Sequence, residues 1–317
     1  MATSYVGILR DTFLPNLAFH TSVSLPGYAL SRATNTVGGK DYLWASAQVA
    51  NVWYTAIGRR LLYGVPLSTA LRSVTRPGWL LISGVTLWGT RLTYRIISRN
   101  IRSGSDDPRY DAVKSEKGGW TKALWSLFLP EAVIQSLITL PLTAPFRTTY
   151  PVLDCPPEWR GTVEALAIGL FGAGFALEVL ADWQLERYKR FGGKEVCKEG
   201  VWSLVRHPNY LGDILTHFSF PLILYPYSLF NPLLLIGPIA NLFFLRHIGG
   251  DKENEESQAR RYADTDPAKL VEFNIYREEK NAVWPGLREL GNKWTWIVVA
   301  TGGAAVVAER LVRNFVF

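Results

Sequence analysis

The sequence predicts an all-α fold, a polytopic transmembrane helical bundle of about six to seven spans. Three observations lead there. Of the 317 residues 48% are hydrophobic and 13% aromatic, with 12 Trp, yet the mean hydropathy is close to zero. The apolar residues are therefore gathered into runs separated by charged loops, which fits a membrane protein with sizeable polar segments. Several runs are long enough to cross a hydrocarbon core. The Lys and Arg residues are distributed unevenly among the loops, as a membrane orientation requires.

In chain order, residues 1–41 contain Arg10, Asp11, Pro15 and Pro26 and no clean apolar core. They are expected to form an interfacial segment rather than a cleaved signal. Residues 42–317 are expected to form a single membrane-embedded domain. Tyr42–Gly58 is a short apolar candidate ended by Arg59 and Arg60. Pro77–Ile97 carries Arg91 and Arg95, four apart and so on one helix face. A buried Arg in a span faces a partner or a wet cavity; Arg95 is read as snorkelling, and the deeper Arg91 as a ligand candidate. Trp125–Phe146 carries Glu131 and Gln135 on one face. A carboxyl in an apolar span can act as a proton donor, and a helix–helix hydrogen bond is the alternative. Gly161–Asp182 ends in Glu178 and Asp182, which oppose the helix dipole. Ribose hydroxyls or a cation would explain them; pairing with Arg187 or Lys189 is the other reading. Leu211–Tyr225 and Ser228–Phe244 are short and form a hairpin around Pro226 and Pro232. His217 in its first arm reads as packed or capping. Trp294–Leu311 is a final span rich in small residues, suited to close packing.

Charge fixes an orientation. Arg91–Lys122 holds 8 Lys and Arg, Glu186–Arg206 holds 6, and Arg246–Lys293 holds 9. These loops fall on one side, expected to be cytosolic, while the four in Arg59–Arg76 run against the trend. The net charge of +7 contains no block of five like charges, so it reads as positive-inside bias and not as a nucleic-acid surface. Cys155 and Cys197 fall in loops placed on opposite sides and are not expected to pair; no metal-ligand spacing occurs.

The densest chemistry lies in Gly200–Asp213, GVWSLVRHPNYLGD. Pro208 cannot donate a backbone hydrogen bond, so a turn or helix start is expected there, with the following helix beginning near Asn209–Tyr210. Its amides together with Arg206 would make an anion site for a phosphate or pyrophosphate. A basic cluster holding lipid headgroups is the alternative. There is no G-x-G-x-x-G after a strand, so a Rossmann domain is not the route to a nucleotide.

This stretch resembles the signature of the steroid 5-alpha reductase C-terminal-like family, through Gly200, Trp202, Arg206, His207, Pro208, Asn209, Tyr210, Gly212 and Asp213. A shorter Arg-His-Pro form occurs in isoprenylcysteine carboxyl methyltransferases and in sterol reductases. The resemblance extends to Trp88-Gly89-Thr90-Arg91-Leu92, to Asp106-Asp107-Pro108-Arg109-Tyr110, to Ala181-Asp182, Gln184 and Lys189, and to Arg261-Tyr262 and Tyr276–Pro285. It implies a helical bundle with a cofactor cavity open to the cytosol. It also implies NADPH-dependent reduction of a carbon–carbon double bond in a steroid-, sterol- or lipid-like substrate, in the endoplasmic reticulum membrane. Cofactor contacts would come from Arg91, Asp182, Trp202, Arg206, His207, Asn209, Tyr210, Asp213, Arg261 and Tyr262. Tyr210, Glu131 and Tyr94 are the candidate proton donors. Trp88 stands near the place of a substrate-binding Tyr of steroid reductases, and Glu178 stands where they have an Asn. The cofactor half thus matches better than the substrate half. Two rivals remain open: a methyltransferase using S-adenosylmethionine on a lipid or prenylcysteine, and a non-catalytic lipid-binding protein.

Overall fold

The computed structural model describes residues 6–104, 106, 110–147, 149–193 and 195–316. It is helical, with no strands among the described residues beyond one antiparallel bridge between Leu153 and Phe230. Among the described residues three helical stretches are long and apolar enough to cross a membrane: Pro157–Arg190, Pro232–Thr265, whose apolar part ends before the polar helix Asp251–Thr265, and Lys293–Phe315. A fourth arises if Gly119–Ile138 and Leu140–Phe146, bent by 53°, count as one span. Among the described residues three or four stretches thus meet that length and composition, against the six to seven spans expected. Pro77–Ile97 does fold as a helix, Arg76–Ser103, but Arg91, Arg95, Arg99 and Arg102 dilute its apolar character. The hairpin's first arm is the 17-residue helix Pro208–Leu224, with Pro221 inside it.

The chain forms two compact units, each interleaved in sequence: Met1–Asp154 with Tyr227–Ala240, and Cys155–Pro226 with Asn241–Phe317. In the first, Leu14–Thr34 packs on Leu129–Ile138 and Asp41–Trp53, and Asp41–Trp53 packs on Arg76–Ser103. The stretch set apart by sequence as interfacial thus contains a packed helix, and that helix buries Asn16, His20, Ser24 and Ser31. Two π-helical turns, Leu9–Phe13 and Leu124–Phe128, lie just before Pro15 and Pro130. A proline ring clashes with the carbonyl four residues back and withholds an N–H, and a widened turn relieves both. A third such turn, Tyr54–Gly58, precedes no proline.

In the second unit, Pro157–Arg190 is the central rod, packed against Pro208–Leu224 and Lys293–Val316. The first crossing is close because Gly174 meets Gly212. A Cβ on Gly174 would lie 2.6 Å from the Gly212 carbonyl oxygen, and one on Gly212 would lie 2.5 Å from that of Gly174. Small residues give membrane helices this approach. Leu177, Ala181, Val201, Leu204, Val205, Leu211, Ile214, Ala282 and Val283 make one buried cluster at its end. That cluster is the floor on which the Gly200–Asp213 stretch sits.

Candidate functional site

Gly200 opens the site. Its φ of +66° is left-handed, and a Cβ there would lie 2.0 Å from the side-chain oxygen of Gln184. Only glycine fits this turn. The same Gln184 oxygen accepts from the Val201 amide at 2.8 Å, and the indole of Trp202 donates to the Ala181 carbonyl at 3.0 Å. Gly200–Ser203 is thereby tied to the central rod. The chain then extends: the amides of Arg206 and His207 donate to the carbonyls of Asn281 and Ala282 at 3.0 and 2.8 Å. Pro208 begins a helix as the sequence predicts, with the His207 carbonyl accepting from Tyr210 and Leu211.

The side chains of this turn converge on one buried carboxylate, Glu255, in the helix Asp251–Thr265. Arg206 grips it with Nε at 2.8 Å and Nη2 at 3.2 Å. His207 Nε2 lies 2.8 Å from the same carboxylate, and Arg277 Nε lies 3.0 Å from Oε2. A carboxylate only accepts, so the hydrogen of neutral His207 sits on Nε2. Arg206 Nη1 donates to the carbonyls of Arg277 and Lys280. Tyr276 donates its hydroxyl toward the carbonyls of Trp202 and Val205. The His207 and Tyr210 rings stack at 5.1 Å, nearly parallel.

Charge balance follows from this geometry. Burial alone would raise the Glu255 carboxyl, but the hydrogen bonds from His207 and Arg206 outweigh it and hold it at about 2. Burial lowers the His207 imidazole below its ordinary value, and Glu255 offsets only part of that. The cluster thus joins one fixed anion to two guanidinium cations and a neutral imidazole. Burial raises the Tyr276 phenol, which stays a hydrogen-bond donor.

The remaining predicted residues divide between the two units. Asp182, Trp202, Arg206, His207, Asn209, Tyr210, Asp213, Arg261 and Tyr262 belong to the second, and Arg91, Tyr94 and Glu131 to the first. Asp213 is buried and accepts from Asn241 Nδ2 at 2.8 Å, with His217 Nδ1 at 2.7 Å; His217 is packed, as read from sequence. Arg261 and Lys269 lie over the Tyr262 ring at 5.5 and 4.9 Å, a cationic aromatic patch near the surface. Asp182 is half-buried and Tyr94 is exposed. Glu131 pairs with Lys40 at 2.8 Å and accepts from Gln135 at 3.2 Å. Asp107, Pro108 and Arg109 of the earlier block lie outside the described residues. Neighbouring Asp106 accepts from the amides of Val37 and Gly38, both at 2.8 Å.

A bound dinucleotide can be tested against these residues. Arg206 and His207 direct donors inward to Glu255 and to carbonyls, so they brace the turn more than they offer it. Asn209 Oδ1 is different: it is buried and has no protein partner among the described residues. It suits a group that donates, such as a sugar hydroxyl or a carboxamide. The basic patch at Arg261, Tyr262 and Lys269 suits a phosphate. An acceptor at Asn209 and cations at Arg261 and Lys269 are the two kinds of group a sugar phosphate calls for.

Sequence reasoning did not single out Glu255 or Arg277. The available signal was weak: Asp251 and Glu255 are four apart and both buried, a spacing that puts two acids on one covered helix face.

One comparison with known proteins gives a match. The family profile described as "Protein of unknown function (DUF1295)" matches residues 27–274. No curated protein matches, and no solved structure matches.

Proposed function

From the premise that the chain belongs to the DUF1295 family, whose description leaves function open, we propose a membrane-bound reductase. It uses NADPH to reduce a carbon–carbon double bond in a steroid-, sterol- or lipid-like substrate. The resemblance of Gly200–Asp213 to the steroid 5-alpha reductase C-terminal-like signature motivates the reaction class. The observation that carries it is the braced Arg206–Pro208 turn, which leaves the buried Asn209 oxygen without a protein partner. Catalysis rewards groups held in place before the ligand arrives. Here Glu255 holds the Arg206 side chain, and the carbonyls of Asn281 and Ala282 hold the amides of Arg206 and His207.

NADPH when bound supplies the hydride. Asn209, the Arg261–Tyr262 patch and Asp182 would hold its sugars and phosphates. Tyr210 stands one helical position beyond Asn209 and is the donor we assign to the alkene. The apolar walls of the helices exclude water from such a step, and substrate enters from the bilayer, which we take to be the endoplasmic reticulum membrane.

The test uses the full chain purified in detergent. NADPH, NADH and S-adenosylmethionine are titrated while the melting temperature is followed. NADPH at about a hundred times its Kd should stabilise by roughly 2.7 kcal/mol. A rise with S-adenosylmethionine alone favours the methyltransferase, and no rise with any of the three leaves a lipid-binding protein. Asn209→Ala should weaken NADPH about tenfold, about 1.4 kcal/mol, with the unliganded melt unchanged. Equal affinity in that variant overturns the placement.

A further inference from the structure

The first unit holds a polar centre of its own, built from side chains that the reductase reading of the Gly200–Asp213 turn does not use. It consists of two hydrogen-bonded chains of buried and half-buried side chains. In one, Arg147 Nη2 donates to Thr55 Oγ1 at 2.9 Å, and Thr55 donates to Asn51 Oδ1 at 3.2 Å. Asn51 Nδ2 reaches Asn16 Oδ1 and His20 Nε2, both at 3.2 Å. In the other, Gln135 Nε2 donates to Glu131 Oε1, and Lys40 donates to Glu131 Oε2. Lys40 lies 3.2 Å from Asp41, which accepts from the Tyr110 hydroxyl at 3.1 Å.

Between the chains lies a small cavity lined by His20, Ser24, Lys40, Glu131, Ala132 and Gln135, among others. Its volume is about 10 Å³, the room one water molecule needs. Two buried atoms on its lining residues have no protein partner among the described residues: His20 Nδ1 and Gln135 Oε1. His20 is 2% exposed and Gln135 4%. Their chemistry is complementary. The Asn51 amide nitrogen can only donate, so His20 Nε2 accepts and the ring hydrogen is on Nδ1. Gln135 gives its nitrogen to Glu131, which turns its oxygen outward as an acceptor. Ser24 does not compete, since its hydroxyl donates to the Phe128 carbonyl at 3.1 Å.

We propose that this cavity binds a single water molecule, which accepts from His20 Nδ1–H and donates to Gln135 Oε1. The water joins the two chains into one hydrogen-bonded relay running from Arg147 to Tyr110 through the helices of the unit. It also fixes the Gln135 amide, and through it the carboxylate that Lys40 holds. Buried waters with two to four polar partners behave as structural parts, and an unmet donor and acceptor in this place would each be costly.

A cavity-filling variant reads the difference between a wet and a dry cavity. In Ala132→Val the added methyls occupy the water's space. If water is bound, the full chain in detergent should melt roughly 2–4 °C lower, because His20 and Gln135 lose their partner. A dry void predicts a higher melting temperature, and that result overturns the proposal. The control is the same change in a His20→Phe, Gln135→Leu background, where both unpartnered atoms are gone and Ala132→Val should not destabilise. An equal loss in both backgrounds means overpacking and removes the support. As a second readout, nitrogen-15 NMR of histidine-labelled protein should show His20 neutral with its hydrogen on Nδ1 and a cross-peak to water. The other tautomer, or no water cross-peak, overturns the assignment. None of these measurements involves NADPH, so they stand or fall apart from the reductase reading.

Discussion

Glu255 and Glu131 are both buried carboxylates that hold a cation, one in each compact unit, yet their surroundings differ in kind. Glu255 is surrounded by Arg206, His207 and Arg277, drawn from segments roughly fifty and twenty residues away. Glu131 has one lysine and one amide, and that lysine has a second acid, Asp41, at 3.2 Å. The first arrangement is a clasp, in which one anion ties a turn, a helix and a later segment together. The second is a link in a chain in which one lysine is shared by two acids, with an amide at one end and a phenol at the other. A buried ion pair is weak evidence of stability by itself, but removing one partner uncovers the others. What matters is how many cations are left behind.

The largest expected effect breaks this comparison directly. Glu255→Ala leaves the half-buried Arg206 guanidinium, and the exposed one of Arg277, without their anion and His207 without its partner, and should cost about 3–5 kcal/mol. Glu131→Ala should cost visibly less, because Asp41 remains for Lys40. Thermal melts of both variants in the same detergent decide it. Equal losses would mean that the number of cations around the carboxylate is not what sets the cost. Arg206→Ala also removes the brace, so a loss of cofactor binding in that variant could not by itself be read as a lost phosphate contact.

Acid should separate the two units next. The folded value of Glu255 is about 2, below its ordinary 4.5, so the unfolded chain takes up the proton first. Its contribution is complete above about pH 4.5 and is lost as pH falls from there toward 2. His207 is likewise lowered from 6.5 in the folded state. Its contribution is complete above 6.5 and declines as pH falls below that value. Both act in the same direction, so the second unit should lose stability stepwise on acidification. Melts between pH 8 and pH 2 check this. His207→Asn should remove the step near neutrality, and Glu255→Gln the steeper one below pH 4.5. An unchanged profile in both variants would disconnect the clasp from the acid response.

How much of this could be read from sequence depends on distance along the chain. The helix beginning at Pro208 was legible, because a proline there restricts its own neighbours. So was the packed role of His217, a lone imidazole in an apolar arm. The number of spans was legible only in part, with three or four candidates of the needed length and apolarity among the described residues. Arg91, Arg95, Arg99 and Arg102 line Arg76–Ser103, a helix whose apolar start suggested a crossing. The packed helix Leu14–Thr34 was hidden by Pro15 and Pro26; a π-helical turn absorbs the first, and the helix continues through the second. Glu255 was the least visible part of the site. Among the acids of Asp251–Glu256 nothing local tells that one of them faces Arg206, 49 residues earlier. Arg206 itself was legible as important, but its guanidinium turned out to face inward, and only tertiary contacts could show that.

The smallest effect sharpens the comparison by matching one hydroxyl in each unit. Tyr276 donates toward the carbonyls of Trp202 and Val205, and Tyr110 donates to Asp41 at 3.1 Å. Both rings are buried, and phenylalanine keeps their shape, so each substitution removes little besides the hydroxyl. Tyr276→Phe leaves two backbone carbonyls of the Gly200–Pro208 turn without that donor, and should cost about 1–2 kcal/mol. Tyr110→Phe leaves a carboxylate that still has Lys40 at hand, and should cost less, about 0.5–1 kcal/mol. If the clasp view holds, Tyr276→Phe should also loosen the turn locally. Amide hydrogen exchange at Trp202–His207 would then speed up while the Asp41–Trp53 helix stays protected. Uniformly faster exchange in both units would mean that the hydroxyl supports global stability instead of this one turn.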